Sequence, residues 1–209
     1  MSDVKSGRRE RYAALTRAAV LDAAKELFVA KGFEATSVEE IARLSETSKG
    51  AVYHHFSDKR EIFAEVFRGT QLAVMQTAIA STGDSGQPWD RVEAATRAFL
   101  RSYVADDDAR ALLRQAIEVL GWSRVRALDE ETALPLLRAT LEEFVQAGVA
   151  RPLPIDAATQ LLFSLYCNAV LFIAADDSDV AGASRDIETV IFALLRGLKA
   201  PPPDSTESQ

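Results

Sequence analysis

Lys49, Gly50, Tyr53 and His54 recur at helical spacing inside one short run, Ser48-Lys49-Gly50-Ala51-Val52-Tyr53-His54-His55-Phe56. Val52 and Phe56, four residues apart, can anchor that run inward and leave the other four on the outward face. A lysine, a position without a side chain, an aromatic ring and an imidazole suit the major groove of DNA. Lys49 can donate to guanine O6 and N7 or to a phosphate, and Tyr53 and His54 can meet phosphates or thymine methyls. Gly50 and Ala51 let the backbone approach the bases. A glycine inside a helix costs about 1 kcal/mol against alanine, a cost that close approach to a partner would offset.

Phosphate anchors are expected where helices begin, because free N–H groups and the positive dipole end favour anions there. Thr36 and Ser37 open one helix, Ser48 caps the next, and Lys59 lies in the first turn of a third. Lys5, Arg8, Arg9 and Arg11 can add contacts from a mobile N-terminal arm. No metal is expected at His54-His55. Neighbouring helical residues point about 100° apart and chelate poorly, and no Cys or Glu-x-x-His partner is near.

The elements that must hold these residues read as helices throughout, so the expected class is all-α with about nine of them. Residues 16 to 31 carry Val20, Ala23, Ala24, Leu27 and Phe28 on one stripe, and Gly32 ends that helix. Thr36-Ser37-Val38-Glu39 reads as a capping box opening a second helix, with Val38, Ile41 and Ala42 inward. Ser45-Glu46-Thr47 breaks it, and Ser48 caps the third, to about His55. A helix, a break of about three residues and a second short helix is helix-turn-helix spacing. Ser57-Asp58 starts a fourth helix, and helical patterns resume over 89–104, 109–121, 127–147, 157–174 and 186–198. Residues 157–174 are almost wholly apolar behind a capping Asp156, and the tail 200–209 is expected to be disordered.

The net charge of −7 conceals an asymmetry: residues 1–68 carry 12 Lys/Arg against 11 Asp/Glu, so the acidic excess lies downstream. Screening beyond about 8 to 10 Å lets a near-neutral segment bind phosphate locally. No apolar run reaches the ~18 to 20 residues needed to span a bilayer, and the single cysteine, Cys167, fits a reduced, cytoplasmic protein without membrane partners. Both histidines sit in the proposed reading helix, so the downstream region lacks the commonest general base. No Gly-rich phosphate loop is present either. The chain is therefore not expected to be an enzyme, and no cofactor is expected.

The stretch from Thr16 to Phe63 resembles the DNA-binding domain of TetR-family transcriptional regulators. The matching residues are Ala23-Ala24 with Leu27-Phe28, Gly32-Phe33, Thr36-Ser37-Val38, Ile41-Ala42, and Ser48 to Phe56 followed by Lys59. One position departs. The family usually places Ala-Gly-Val before the reading helix, where this chain has Ser45-Glu46-Thr47, so Glu46 must accept a left-handed conformation or the turn must differ.

The resemblance implies an N-terminal three-helix helix-turn-helix domain (1–60, with 1–10 a flexible basic arm) and a C-terminal helical domain (61–199) that binds an effector and dimerises. The implied function is that of a dimeric, sequence-specific regulator, foremost a repressor released from its operator by a small apolar or aromatic ligand. An activator, or a regulator without a small-molecule effector, remains the alternative. A dimer reading palindromic half-sites about 34 to 36 Å apart gains specificity, and the helices 157–174 and 186–198 are apolar enough to form its interface. Phe99, Tyr103, Leu120, Trp122, Phe163 and Cys167 are the candidate walls of the ligand pocket, with Leu120-Gly121-Trp122 at its edge.

Overall fold

A computed structural model describes residues 2–81, 86–175 and 178–201. Ten α-helices make up its described part: α1 Ser2–Ala35, α2 Val38–Leu44, α3 Lys49–His55, α4 Lys59–Ala80, α5 Pro88–Ala105, α6 Asp107–Leu120, α7 Trp122–Glu130, α8 Ala133–Gln146, α9 Ile155–Ala174 and α10 Val180–Arg196. The all-α expectation holds. The tenth helix arises because the expected span 127–147 is two helices, separated at Glu131 and Thr132. Pro135 explains the break: a proline is tolerated in the first turn of a helix, where it stands in α8, but not in an interior.

The chain divides into two compact units, Met1–Leu72 with Asp108–Arg126, and Ala73–Asp107 with Ala127–Gln209. The first unit thus runs twelve residues past the boundary expected at residue 60 and takes in a later segment of the chain. Helix α4 passes from the first unit into the second, and α6 belongs with the N-terminal helices.

In the first unit, α1 begins at Ser2, so the backbone expected to be a flexible arm is helical; the side chains of Lys5, Arg8 and Arg9 are not among the described residues. The helix kinks at Gly32, whose φ of 84° and ψ of 166° only glycine adopts readily. The kink removes Phe33 from the helical ladder and leaves its N–H without an intrahelical acceptor. Gln115 of α6 supplies one. Its Oε1 accepts from Phe33 N–H at 2.8 Å and its Nε2 donates to the Phe28 carbonyl at 3.0 Å. The core beneath is a cluster of Phe28, Phe33 and Phe63 with ring centroids 5.2 to 5.7 Å apart, joined by buried Val20, Ile41, Val52 and Ile62.

Helix α2 is capped one residue later than expected. Ser37, not Thr36, is the N-cap: Glu40 N–H donates to Ser37 Oγ, and the Glu40 carboxylate accepts from Ser37 N–H at 2.9 Å. The sequence holds two overlapping boxes, Thr36 to Glu39 and Ser37 to Glu40, and burial of Thr36 selects the second. Lys31 and Ser37 together hold the Glu40 carboxyl down at about 2.

The turn after α2 is a Schellman motif: Thr47 N–H donates to the Ala42 carbonyl at 2.9 Å and Glu46 N–H to Arg43 at 3.2 Å. Its C′ residue is Glu46, at φ 53° the one non-glycine with positive φ among the described residues. A side chain in that conformation costs about 1 to 2 kcal/mol. Glycine there would regain this strain but lose about 0.4 to 1 kcal/mol through the unfolded chain. We expect Glu46→Gly to stabilise the protein by about 0.5 to 1 kcal/mol in urea unfolding; an unchanged or lowered midpoint would mean that the turn carries no strain.

In the second unit, α9 packs against α8, α5 and α10. Its N-cap is Pro154, without the side-chain bond expected of Asp156, whereas Asp179 caps α10 by accepting from Gly182 N–H at 2.8 Å. Helix α10 therefore starts inside the stretch 175–184 that reads as loop. Helix α9 is long and apolar enough by length and composition to cross a membrane, although Asp156, Gln160, Ser164 and Asn168 interrupt its apolar run. One of its faces is packed: Phe163, Ala169, Val170 and Ile173 are buried.

Candidate nucleic-acid interface and ligand cavity

Helix α3 places its residues as their spacing predicts. Val52 and Phe56 are buried, and Lys49, Gly50, Tyr53 and His54 are exposed together. Ser48 caps the helix, its Oγ accepting from Ala51 N–H at 3.1 Å. Nothing in the chain crowds Gly50: a Cβ there would meet only Ser48 Oγ, at 3.9 Å. Its missing side chain has no internal purpose.

Lys49 is not idle. Its ammonium pairs with the Glu39 carboxylate of α2 and lies 5.8 Å from the centre of the Tyr53 ring. The hydrogen bond raises the lysine's pKa and lowers the glutamate's. Glu39 had no signal in the sequence, since it stands ten residues from Lys49 on another helix. Solvent screens an ion pair this exposed and leaves it little net strength, so an incoming phosphate or guanine can replace Glu39 at small cost.

Two of the expected phosphate anchors are engaged inside the protein. Thr36 is 2 % exposed, and its hydroxyl donates to the Gly32 carbonyl at 2.8 Å, so this side chain serves the kink. The Lys59 ammonium donates to the carbonyls of Phe33 and Thr36 at 2.7 and 2.8 Å and lies 4.1 Å from the Phe33 ring centre. It neutralises the C-terminal end of α1, where a cation is favoured. Ser37 and Ser48 remain at the starts of α2 and α3.

The second unit contains an apolar cavity of about 220 Å³. Its walls come from α4 (Met75, Ala78, Ile79), α5, α8, α9 and the end of α10. Of the six pocket residues expected from the sequence, Phe99 and Phe163 line it. The other four do not. Tyr103 is buried core, Trp122 is 43 % exposed, and Leu120 and Cys167 are half-buried away from the lining. Leu120 and Trp122 fall in the first unit with α6, so the Gly121 break is no edge of this cavity. Trp89 and Tyr166, which helical periodicity could not distinguish from core, do line it. Trp89 Nε1 donates to the Val149 carbonyl at 3.0 Å, and the Tyr166 hydroxyl pairs with Thr96 at 2.7 Å.

Short helices presenting a basic, aromatic face, in one chain with a helical unit that holds an apolar cavity, are the make-up of a DNA-binding regulator. Residues 20–66 match the family described as bacterial regulatory proteins, tetR family, and residues 89–198 match the tetracyclin repressor-like C-terminal domain. The chain belongs to the TetR family of transcriptional regulators and binds DNA through its helix-turn-helix; its relatives are regulators, not enzymes. It is 28% identical over 200 residues to the HTH-type transcriptional repressor BepR of Brucella suis, covering 90% of this chain and 95% of that protein. To the transposon Tn10 TetC protein of Escherichia coli it is 24% identical over 148 residues, 70% of this chain and 74% of that one. The crystal structure of a TetR-family transcriptional regulator from Pectobacterium atrosepticum shares the fold, with a TM-score of 0.77 at 23% identity over 92% of this chain and 98% of that one.

Proposed function

We propose that the protein is a cytoplasmic, homodimeric repressor that reads a palindromic operator through Lys49, Gly50, Ala51, Tyr53 and His54 and is released when a small molecule fills its cavity. The observation that carries this reading is the course of α4. The helix begins at Lys59, beside the reading helix, and its far end supplies Met75, Ala78 and Ile79 to the cavity wall. A ligand that prefers one tilt of α4 shifts the population of reading-competent dimers. Open space around Gly50 supports direct approach of the reading helix to base edges, and Ser37 and Ser48 mark the helix starts that would meet phosphates. The name of the Brucella relative supports repression.

Dimerisation is supported by the outer faces of α9 and α10. Leu161 and Phe172 are 72 % and 60 % exposed on α9, and Val190 and Leu194 are exposed on α10. They form helical stripes continuing the apolar character that α9 does not spend on its own core. We expect a dimer by sedimentation, and a folded monomer for Leu161→Asp with Phe172→Asp. On genomic fragments selected by the wild-type protein, the monomer should bind at least 100-fold more weakly, because each half-site is then read alone. A double variant that remains dimeric removes this face from the interface.

A further inference from the structure

We propose that the cavity selects an uncharged aromatic compound of one to two rings carrying a single hydroxyl or carbonyl, which it orients through the Tyr166–Thr96 pair. This proposal rests on the ligand-release reading above and names the ligand's chemistry.

Charge is excluded first. None of the residues lining the cavity is charged, and an unpaired ion moved from water into such surroundings loses far more solvation than apolar contact returns. Polarity is then confined to one place. The lining offers four side chains with polar tips: Trp89, Thr96, Thr140 and Tyr166. Two are already committed to backbone carbonyls, Trp89 to Val149 and Thr140 to Leu136, the latter at 3.0 Å. Thr96 and Tyr166 bond to one another. Two hydroxyls sharing one hydrogen bond use one of their two O–H donors. One donor and several lone pairs therefore remain for an incoming group. Burial raises the Tyr166 pKa, so the phenol stays protonated and can donate.

Size and shape set the rest. A dry cavity of about 150 Å³ holds benzene, so 220 Å³ admits one or two fused rings. Trp89 and Phe144 meet edge to face at 5.1 Å, and Phe99 and Tyr166 at 5.9 Å, presenting the ring edges and faces that favour aromatic guests.

The test uses the full-length protein with naphthalene, 2-naphthol and 2-naphthoate, in calorimetry and in release of a selected DNA fragment. We expect 2-naphthol to bind at least tenfold more tightly than naphthalene, and 2-naphthoate not to bind measurably. In Tyr166→Phe with Thr96→Val, which leaves neither hydroxyl, the advantage of 2-naphthol over naphthalene should vanish while naphthalene affinity stays within twofold, which a merely structural role would not produce. If that double variant fails to fold, Tyr166→Phe alone should reduce the advantage at unchanged naphthalene affinity. Equal binding of 2-naphthoate, parallel loss of both neutral probes in the variant, or no binding of any probe overturns the ligand assignment. Binding as expected without DNA release upholds it and sinks the release reading alone.

Discussion

Lys49→Ala combined with Tyr53→Ala should lower affinity for a selected operator fragment by at least 100-fold, with stability and dimerisation unchanged. A side chain making good bidentate base contact is worth about 1 to 3 kcal/mol of discrimination, and two lost from each protomer act on both half-sites. Both residues are exposed and neither supports the core, which rests on Val52 and Phe56 from the same helix. Lys49 alone should also reveal its pairing with Glu39. Glu39→Gln frees the ammonium and removes a negative charge from the face proposed to meet DNA, so it should raise affinity several-fold where Lys49→Ala lowers it. Fluorescence anisotropy at fixed salt separates these outcomes, since backbone contacts are strongly salt-dependent. A double variant that binds as tightly as wild type would falsify the assignment of α3 as the reading helix.

The second large effect is expected far from that face. Gln115→Leu should destabilise the N-terminal unit by about 2 to 3 kcal/mol, because it leaves a part-buried backbone N–H unpaired and removes the donor to the Phe28 carbonyl. Leucine is close in volume, so packing of α6 is kept and the loss is electrostatic. Hydrogen exchange is the direct readout: the Phe33 amide should lose protection selectively. Gln115→Glu keeps an acceptor for Phe33 N–H and loses the donor to Phe28, so its effect should be intermediate. Undiminished protection at Phe33 in Gln115→Leu would show that another group satisfies the kink.

The exposed face of α3 was legible in the sequence because it is local. Helical periodicity over eight residues decides which side Lys49, Gly50, Tyr53 and His54 share, and a serine before them decides where the helix begins. The left-handed Glu46 came from the family resemblance and not from spacing: a glutamate where the family has glycine left two outcomes, a left-handed residue or a different turn, and the fold takes the first. Even here, local signals were ambiguous by one residue. Thr36 and Ser37 each head a capping box, and only the burial of Thr36 against Gly32 chose between them.

What the tertiary structure decided depends on residues far apart in the chain. Lys59 reads as a free cation until α1 ends against it. Gln115 reads as one polar residue in an amphipathic helix until the Gly32 kink turns an orphan N–H towards it. The cavity is the clearest case. Phe99 and Phe163 were reachable by composition, but Tyr103 and Cys167 share their character and lie elsewhere, because periodicity tells which face of a helix is buried and not whether the space beyond it is filled. That space is set by five helices whose contacts span most of the chain, and it is there that Tyr166 and Thr96 meet.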